Sequence, residues 1–315
     1  MLLSILYILF SLVLLYFGSN WLVKGSSALA LKIGMSPLVA DLTVVAFGTS
    51  SPGLVFSINA VLTGHGNMAI GDALGSNLFN ICMVLGISSL VSPLMVKMQL
   101  LKIHILMLVA ATIMFILLFS DRQISQSEGF ILLIVLLIYT VANIYLARRE
   151  KNTEILEEFI SSIPNGKKQW YWSAGMIVLG IGILLAGSEL LVKGAVEIAR
   201  KLLVGETIIS FTIIAAGTSI PLLVSSIITT IHKKFDVAIG NIIGSSIFNI
   251  LGIIGVSAVI HPLETIILSN IDLFAMFGIP LFLLPFFRTK YSLKSDEGIF
   301  MIGLYLIYIY YLWPK

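Results

Sequence analysis

Charged side chains and cysteine are scarce in this sequence of 315 residues. Asp, Glu, Lys and Arg together make up 11% of the chain, whereas a soluble domain carries about 25%. So few charges cannot solvate a whole protein surface, which excludes an ordinary soluble globular protein. The single cysteine, Cys82, excludes an internal disulfide and a cysteine-rich metal site. The net charge of +3 is small and scattered, so no nucleic-acid partner is indicated.

Apolar residues fill the place of the missing charges. They make up 58% of the chain, and the mean hydropathy is +1.05. Several apolar runs exceed the roughly 18 residues that cross about 30 Å of hydrocarbon. The first run has no basic segment before it and no clear cleavage site, so we interpret it as a retained span. The sequence predicts an all-α membrane protein with ten transmembrane helices, near residues 2–26, 37–62, 68–92, 101–120, 128–147, 172–198, 206–231, 236–260, 266–287 and 297–313.

One long hydrophilic segment divides these spans into five and five. It predicts a first five-helix repeat at residues 1–147, a linker at 148–170 and a second five-helix repeat at 171–315. Lysine and arginine favour cytoplasmic loops. If the N-terminus lies outside, 14 of the 19 basic residues lie on the inner side, and only five lie on the outer side: Arg122, Lys193, Arg200, Lys201 and Lys315. The sequence therefore predicts a multi-pass protein of a prokaryotic inner membrane, with both termini outside and the linker in the cytoplasm.

An internal repeat relates the two halves at a constant spacing along the chain, the repeat offset, with no insertion or deletion. The repeat offset carries Gly18–Gly25 onto Gly187–Gly194, Gly48–Pro52 onto Gly217–Pro221, and Gly75–Asn80 onto Gly244–Asn249. Because each half has an odd number of predicted spans, the second copy must enter the membrane from the opposite side. Inverted repeats of this kind are typical of secondary transporters, whose binding site lies where the repeats meet near the midplane.

Two repeated motifs place polar groups inside apolar spans. In Gly-Thr-Ser-x-Pro, glycine and proline break the helical hydrogen bonds, and the freed carbonyls must face protein or water. In the second motif, residues spaced four apart share one helix face. These residues are Asp72, Ser76 and Asn80 in the first half, and Asn241, Ser245 and Asn249 in the second. Four such stretches predict an oxygen-lined cavity suited to hard cations; the alternative for any one motif is that small residues only allow close helix packing.

The paired motifs resemble those of the sodium/calcium exchanger superfamily of cation antiporters, in particular its short prokaryotic members. The resemblance covers nearly the whole chain. It implies alternating access, in which the first and sixth spans slide against a core made by the other eight. It also implies a set of ion-coordinating residues, which by position are Ala46, Thr49, Ser50, Ser76, Asn80, Ala215, Thr218, Ser219, Ser245 and Asn249. The same set would hold any bound metal ion.

The sequence departs from the family at its charged positions. The family has a glutamate directly after the proline of each copy, and here these positions are Gly53 and Leu222. Asn249 is also neutral, where some relatives have an aspartate. A divalent ion dehydrated without anionic ligands leaves charge uncompensated in a low dielectric, so these changes argue against Ca²⁺. Asp41 and Asp72 are candidate auxiliary acids; the alternatives are a buried hydrogen-bonded acid for Asp41 and an interfacial or capping role for Asp72.

The sequence therefore predicts a secondary cation antiporter with an altered choice of ion. Its only small-molecule partners would be inorganic cations, Na⁺ and either Ca²⁺ or another cation, with no separate cofactor and with the bilayer as its environment. The alternatives are a transport-impaired relative that acts as a membrane sensor or binds a partner, and a uniporter for monovalent cations. No metalloprotease, nucleophile-elbow or P-loop motif occurs, so an enzyme is not predicted. Asp272 is expected at a solvated span end, and the oligomeric state stays open.

Overall fold

Helices make up almost all of the chain that the structure describes. The structure is a computed structural model that describes residues 2–32, 46–95, 98–149, 169–233, 235–264, 270–289 and 292–312. The helices are α1 (Leu2–Lys32), α2 (Ala46–Leu62), α3 (Gly66–Leu78), α4 (Leu85–Val91), α5 (Met98–Leu118), α6 (Gln126–Arg149), α7 (Gln169–Leu202), α8 (Glu206–Ile209), α9 (Ala215–Thr218), α10 (Ile220–Ile231), α11 (Phe235–Phe248), α12 (Ile254–Ile260), α13 (Asn270–Thr289) and α14 (Ser295–Leu312). Wide π-helical turns join α3 to α4 (Phe79–Val84), α8 to α9 (Ser210–Ile214) and α11 to α12 (Asn249–Ile253), and a short 3₁₀ turn, Phe119–Asp121, follows α5.

Several of these helices are long and apolar enough to cross a membrane. Within the described ranges six segments meet that condition: Leu2–Leu22, Gly66–Val91, His104–Asp121, Gln126–Asn143, Tyr171–Leu202 and Val237–Ile260. A seventh candidate is the bent pair Ser210–Thr218 and Ile220–Ile231. The most apolar stretches of Gly66–Val91 and of Val237–Ile260 are each 78% buried, whereas that of Gln126–Asn143 is only 11% buried. Gly66–Val91 and Val237–Ile260 therefore form the centre of the protein, and α6 lies at its periphery.

The outward faces of the peripheral helices are apolar. On α6, Leu137 and Ile138 are both 62% exposed, and Leu117 of α5 and Phe274 of α13 are also exposed. Large exposed apolar surface is rare on soluble monomers. Here it matches the hydrocarbon of a bilayer, as the composition predicts.

Helices α1 and α7 pack against each other in antiparallel directions. A Cβ atom placed on Gly18 would lie 3.0 Å from the carbonyl oxygen of Gly180, and one placed on Gly180 would lie 2.8 Å from the carbonyl oxygen of Gly18. Further along the two helices, Gly25 lies close to the backbone of Ser173, and Gly194 lies close to the backbone of Ser4. The two backbones touch where glycines face each other, as in other closely packed membrane helices.

The buried apolar side chains form two clusters. The larger one contains residues of α3 to α6 and of α11 to α14, and it includes the deeply buried, stacked rings of Phe115 and Phe119. The smaller one joins α1 and α7 to one face of α2 through Leu15, Leu184 and Phe56. Helices α1 and α7 therefore pack as a unit beside the main bundle.

Four two-residue strands tie the ends of the helices together. Strand β1 (Leu94–Met95) pairs with β4 (Ser292–Leu293), and β2 (Gln123–Ile124) pairs with β3 (Leu263–Glu264), both antiparallel. Leu94 lies opposite Leu293, and Ile124 lies opposite Leu263. The repeat offset carries each of these pairs onto the other, and each pair joins one half of the chain to the other half.

Candidate ion-binding site

The second Gly-Thr-Ser-x-Pro motif bends its helix. The chain passes from α8 through the wide turn Ser210–Ile214 into the one-turn helix α9, and it changes direction by 48° before α10. Pro221 stands in the first turn of α10, where backbone N–H groups have no intrahelical partner in any case. The bend falls on the motif, as its glycine and proline predict.

The first copy of the motif begins α2. Pro52 lies inside this helix and has no N–H to bond the carbonyl four residues earlier, which is that of Gly48. Two hydroxyls replace the missing donor: Ser51 Oγ donates to the Gly48 carbonyl at 2.6 Å, and Ser19 Oγ of α1 donates to it at 2.7 Å. The Gly48 carbonyl group is thus hydrogen-bonded within the protein, as is required of backbone polar groups in a membrane interior.

Helices α3 and α11 carry the second motif into the centre of the bundle. Each of them continues into a wide turn, and Asn80 and Asn249 lie in these turns. Gly75 of α3 lies against the turn before α9, where an added Cβ would be 2.3 Å from the carbonyl oxygen of Phe211. Only glycine allows this approach, which places α3 beside the bend in the second half. Wide turns of this type often mark functional sites.

Hydrogen bonds connect the two halves crosswise in two matching groups. In the first group Thr49 Oγ1 donates to Asn241 Oδ1 at 3.2 Å and lies 3.1 Å from Ser245 Oγ. In the second group Thr218 Oγ1 lies 2.8 Å from Asp72 Oδ1 and 3.3 Å from Ser76 Oγ. The repeat offset maps one group onto the other. Each threonine of a Gly-Thr-Ser motif therefore meets the second motif of the opposite half.

A small cavity lies where the four motif segments meet. It has about 10 Å³ of space for the centre of a water-sized sphere, which is about the room that one water molecule needs. Its lining is Thr49, Ser50, Gly53, Ser76, Asn80, Thr218, Ser219, Leu222 and Asn249. Seven of these nine residues belong to the predicted ion-coordinating set. The other two, Gly53 and Leu222, are the positions at which the resemblance to the exchanger superfamily leads us to expect glutamates.

The remaining members of the predicted set lie beside this cavity or are only partly described. The carbonyl oxygen of Ala215 lies 3.3 Å from each of the hydroxyl oxygens of Ser76 and Thr218. Ser245 is buried next to Thr49. Ala46 is the first residue of α2, and its side chain is outside the described part. Asp41 also lies outside the described residues.

Asp72 is fully buried in the interior of α3, so its interpretation as an interfacial or capping residue is wrong. Its Oδ1 accepts hydrogen bonds from Thr218 at 2.8 Å and from Ser76 at 3.4 Å. Its Oδ2 is buried without a hydrogen-bond partner. An added Cβ on Gly53 would lie 3.0 Å from this oxygen. The carboxylate is thus directly behind the lining of the cavity.

Buried amides complete the polar centre. Asn249 Nδ2 donates to Asn77 Oδ1 at 3.1 Å across the two halves, and Asn80 Oδ1 is buried without a partner. Sequence reasoning missed Asn77, and it assigned no ligand role to Asn241, which binds Thr49. The spacing of four residues along α11 was the available signal for Asn241. No comparable signal exists for Asn77, because its partner belongs to another helix.

Asp272 differs from its sequence-based expectation. It is 2% exposed and accepts a hydrogen bond from Tyr308 Oη at 2.6 Å, so solvation does not explain it. The pair joins α13 to α14 and contributes no residue to the cavity lining.

Known proteins resemble this chain over nearly its whole length. The family model described as sodium/calcium exchanger protein matches residues 3–145 and again residues 172–313. A putative antiporter, CaxA, of Alkalimonas amylolytica is 36% identical, with 83% of this chain and 82% of that protein covered. The sodium/calcium exchanger MaX1 of Methanosarcina acetivorans is 28% identical, with 97% of each chain covered.

A solved structure shares the fold. The sodium-calcium exchanger NCX_Mj, soaked with Na⁺ and Sr²⁺, matches with a TM-score of 0.69 at 31% identity, and 98% of each chain is covered. These similarities and the buried polar centre agree with the resemblance seen in the two sequence motifs. The chain belongs to the sodium/calcium exchanger family, and it is a membrane cation antiporter and not an enzyme.

Proposed function

We propose that this antiporter exchanges monovalent cations, Na⁺ among them, by alternating access, and that it disfavours Ca²⁺. The observation that carries the proposal is the cavity between the two halves, which is lined by hydroxyl and amide side chains. Oxygen ligands suit hard cations. Among the described residues no carboxylate lines the cavity, because glycine and leucine stand at positions 53 and 222. A divalent ion would leave most of its charge uncompensated there, whereas neutral oxygens hold monovalent ions in channel filters.

The architecture that we propose has ten spans in two inverted repeats, residues 1–147 and 171–315. Three observations support it. The family model matches two separate stretches of the chain, the first helices of the two halves run antiparallel, and the strand pairs map onto each other at the repeat offset. The distribution of lysine and arginine supports an inner-membrane protein with both termini outside and a cytoplasmic linker at 148–170.

The movement that we propose is a displacement of α1 and α7 along the main bundle. The buried apolar side chains of these helices belong to the smaller cluster, which meets the main bundle through Phe56 of α2 and Met68 of α3. A hydrogen bond from Ser19 to the Gly48 carbonyl joins α1 directly to the first break motif. One such bond has a net worth of about 1 kcal/mol, which is small enough to break and re-form during a transport cycle.

Counterflow in proteoliposomes tests this function. Vesicles loaded with unlabelled Na⁺ and diluted into medium whose only Na⁺ is a low concentration of ²²Na⁺ should take up the label with saturable kinetics. Thr49→Val removes the hydroxyl that lines the cavity and should lower the apparent Na⁺ affinity about 3- to 20-fold, since hydrogen bonds in membranes are worth about 0.6–1.7 kcal/mol. Thr140→Val is the matched control, because Thr140 donates only to the Leu136 carbonyl of its own helix.

Two results would contradict the proposal. Absence of uptake under gradients of Na⁺, K⁺, H⁺, Ca²⁺ and Mg²⁺ would favour a transport-impaired relative. Uptake that needs no counter-ion inside the vesicle would favour a uniporter. A lower affinity in Thr49→Val alone, with Thr140→Val unchanged, supports binding in the cavity.

A further inference from the structure

The two crosswise hydrogen-bonded groups differ at one position. Asp72 in one group corresponds to Asn241 in the other. The geometry is otherwise the same, because each oxygen accepts a hydrogen bond from the threonine of the opposite half. Of these two corresponding side chains, only the carboxyl group of Asp72 can carry a negative charge.

Position 53 makes room for that charge. Gly53 has no side chain, and the space that its Cβ would occupy lies 3.0 Å from Asp72 Oδ2. On the other side the corresponding position carries the bulky Leu222, which is 2% exposed. The carboxylate of α3 thus approaches the cavity at the place where a side chain from α2 would otherwise stand.

The surroundings of Asp72 compensate only one of its two oxygens. The hydroxyls of Thr218 and Ser76 lie 2.8 Å and 3.4 Å from Oδ1 and donate to it, and the Ser57 hydroxyl is also nearby. Oδ2 and the Ser57 hydroxyl are both buried without a hydrogen-bond partner. Among the described residues no basic side chain forms an ion pair with Asp72. A buried carboxylate whose charge is not compensated is strongly unfavourable, and acidic residues inside membranes usually serve ion pathways.

We propose that Asp72 supplies the negative charge of the ion site, in place of the carboxylate missing at position 53, and that one monovalent cation balances it. The inference rests on the proposed function and deepens it. The Thr218 and Ser76 hydroxyls hold Oδ1, while Oδ2 lies next to Gly53, directly behind the lining of the cavity. One carboxylate among neutral oxygens matches a charge of +1 and leaves a divalent ion with an excess charge.

The test is the Na⁺ affinity of Asp72→Asn, measured in detergent as the Na⁺ concentration that raises the unfolding temperature halfway. Asparagine is nearly isosteric, and Asn241 shows that an amide accepts the threonine hydrogen bond at the equivalent place. We expect the Na⁺ affinity to fall about 100-fold or more, as for removal of one partner from a buried charge pair. Adding Gly53→Glu to Asp72→Asn should restore the affinity to within about tenfold, because the carboxylate then enters from α2.

Asp272→Asn is the matched control. Asp272 is similarly buried, but its oxygen accepts from Tyr308 outside the cavity, so its substitution should leave the Na⁺ affinity unchanged. If Asp72→Asn does not fold, Gly53→Ala replaces it: the added methyl group would displace Oδ2 and should lower the affinity about tenfold.

The outcomes separate the two proposals. No Na⁺ response and no Na⁺ flux in the unmodified protein would overturn the proposed function. A normal Na⁺ response together with an unchanged affinity in Asp72→Asn, or in Gly53→Ala if that variant is used, would overturn the role of Asp72 and leave the antiporter intact. An equal loss of Na⁺ affinity in Asp72→Asn and Asp272→Asn would also overturn the role of Asp72, because the loss would then not be specific to the cavity.

Discussion

Replacing both Gly53 and Leu222 by glutamate should give this protein a Ca²⁺ site. Both residues line the cavity between the halves, so the two new carboxylates would face the same small space. At about 4 Å and an effective dielectric constant of about 20, a carboxylate attracts Na⁺ by about 4 kcal/mol and Ca²⁺ by twice as much. Each new charge therefore favours Ca²⁺ over Na⁺, while repulsion between the carboxylates penalises the empty site.

The geometry of position 53 refines this design. A side chain there would begin 3.0 Å from Asp72 Oδ2 and 3.3 Å from Ile253 Cδ1, so both groups must shift by a few tenths of an ångström. Three carboxylates would also crowd the cavity. Adding Asp72→Asn leaves two carboxylates, which balance one Ca²⁺. We expect the triple variant to bind Ca²⁺ at least as tightly as the double variant.

The assay is ⁴⁵Ca²⁺ uptake into Na⁺-loaded proteoliposomes, together with the dependence of the unfolding temperature on Ca²⁺. Gly53→Gln with Leu222→Gln is the matched control, because glutamine has the size of glutamate without its charge. We expect a Ca²⁺ affinity at least about 100-fold higher for the glutamate pair, a difference of about 2.7 kcal/mol. Equal Ca²⁺ responses of the two pairs, both folded and monodisperse, would refute the placement of the ion cavity.

Two further predictions concern packing outside the cavity. Gly180→Leu should abolish counterflow, whereas Na⁺ should still raise the unfolding temperature of this variant. The reason is that a Cβ on Gly180 would lie 2.8 Å from the carbonyl oxygen of Gly18, so a larger side chain collides with the backbone of α1. Unchanged flux would contradict movement of α1 and α7 as a close pair. Tyr308→Phe removes a hydrogen bond to the buried Asp272 carboxylate and should lower the free energy of unfolding by about 1.5–3 kcal/mol, with the Na⁺ affinity unchanged; thermal unfolding with and without Na⁺ measures both effects.

The fold class and the family could be predicted from local composition and from the repeat. A chain with 11% charged residues must bury its surface in lipid, and the constant repeat offset identifies corresponding motifs without any structure. The position of the bend at the second Gly-Thr-Ser-x-Pro motif also follows from the sequence, since proline and glycine change the backbone wherever they stand.

Which residues would gather at the centre could be predicted only in outline. Residues spaced four apart share a helix face, so Ser76 and Asn80 were expected to point the same way. Periodicity along one helix does not identify the helix opposite that face. The crosswise pairing of Thr49 with Asn241 and of Thr218 with Asp72 depends on how the two halves pack.

The burial of Asp72 shows most clearly which features follow from the sequence and which depend on the tertiary structure. The sequence alone determined that this is a membrane protein of the sodium/calcium exchanger family, and it predicted break motifs with uncharged oxygens. Only the tertiary structure decided that a carboxylate from α3 lies next to Gly53, directly behind the lining of the cavity. The physical reason is that the effect of a charge depends on the polar groups and the space around it in three dimensions, and these come from segments far apart along the chain.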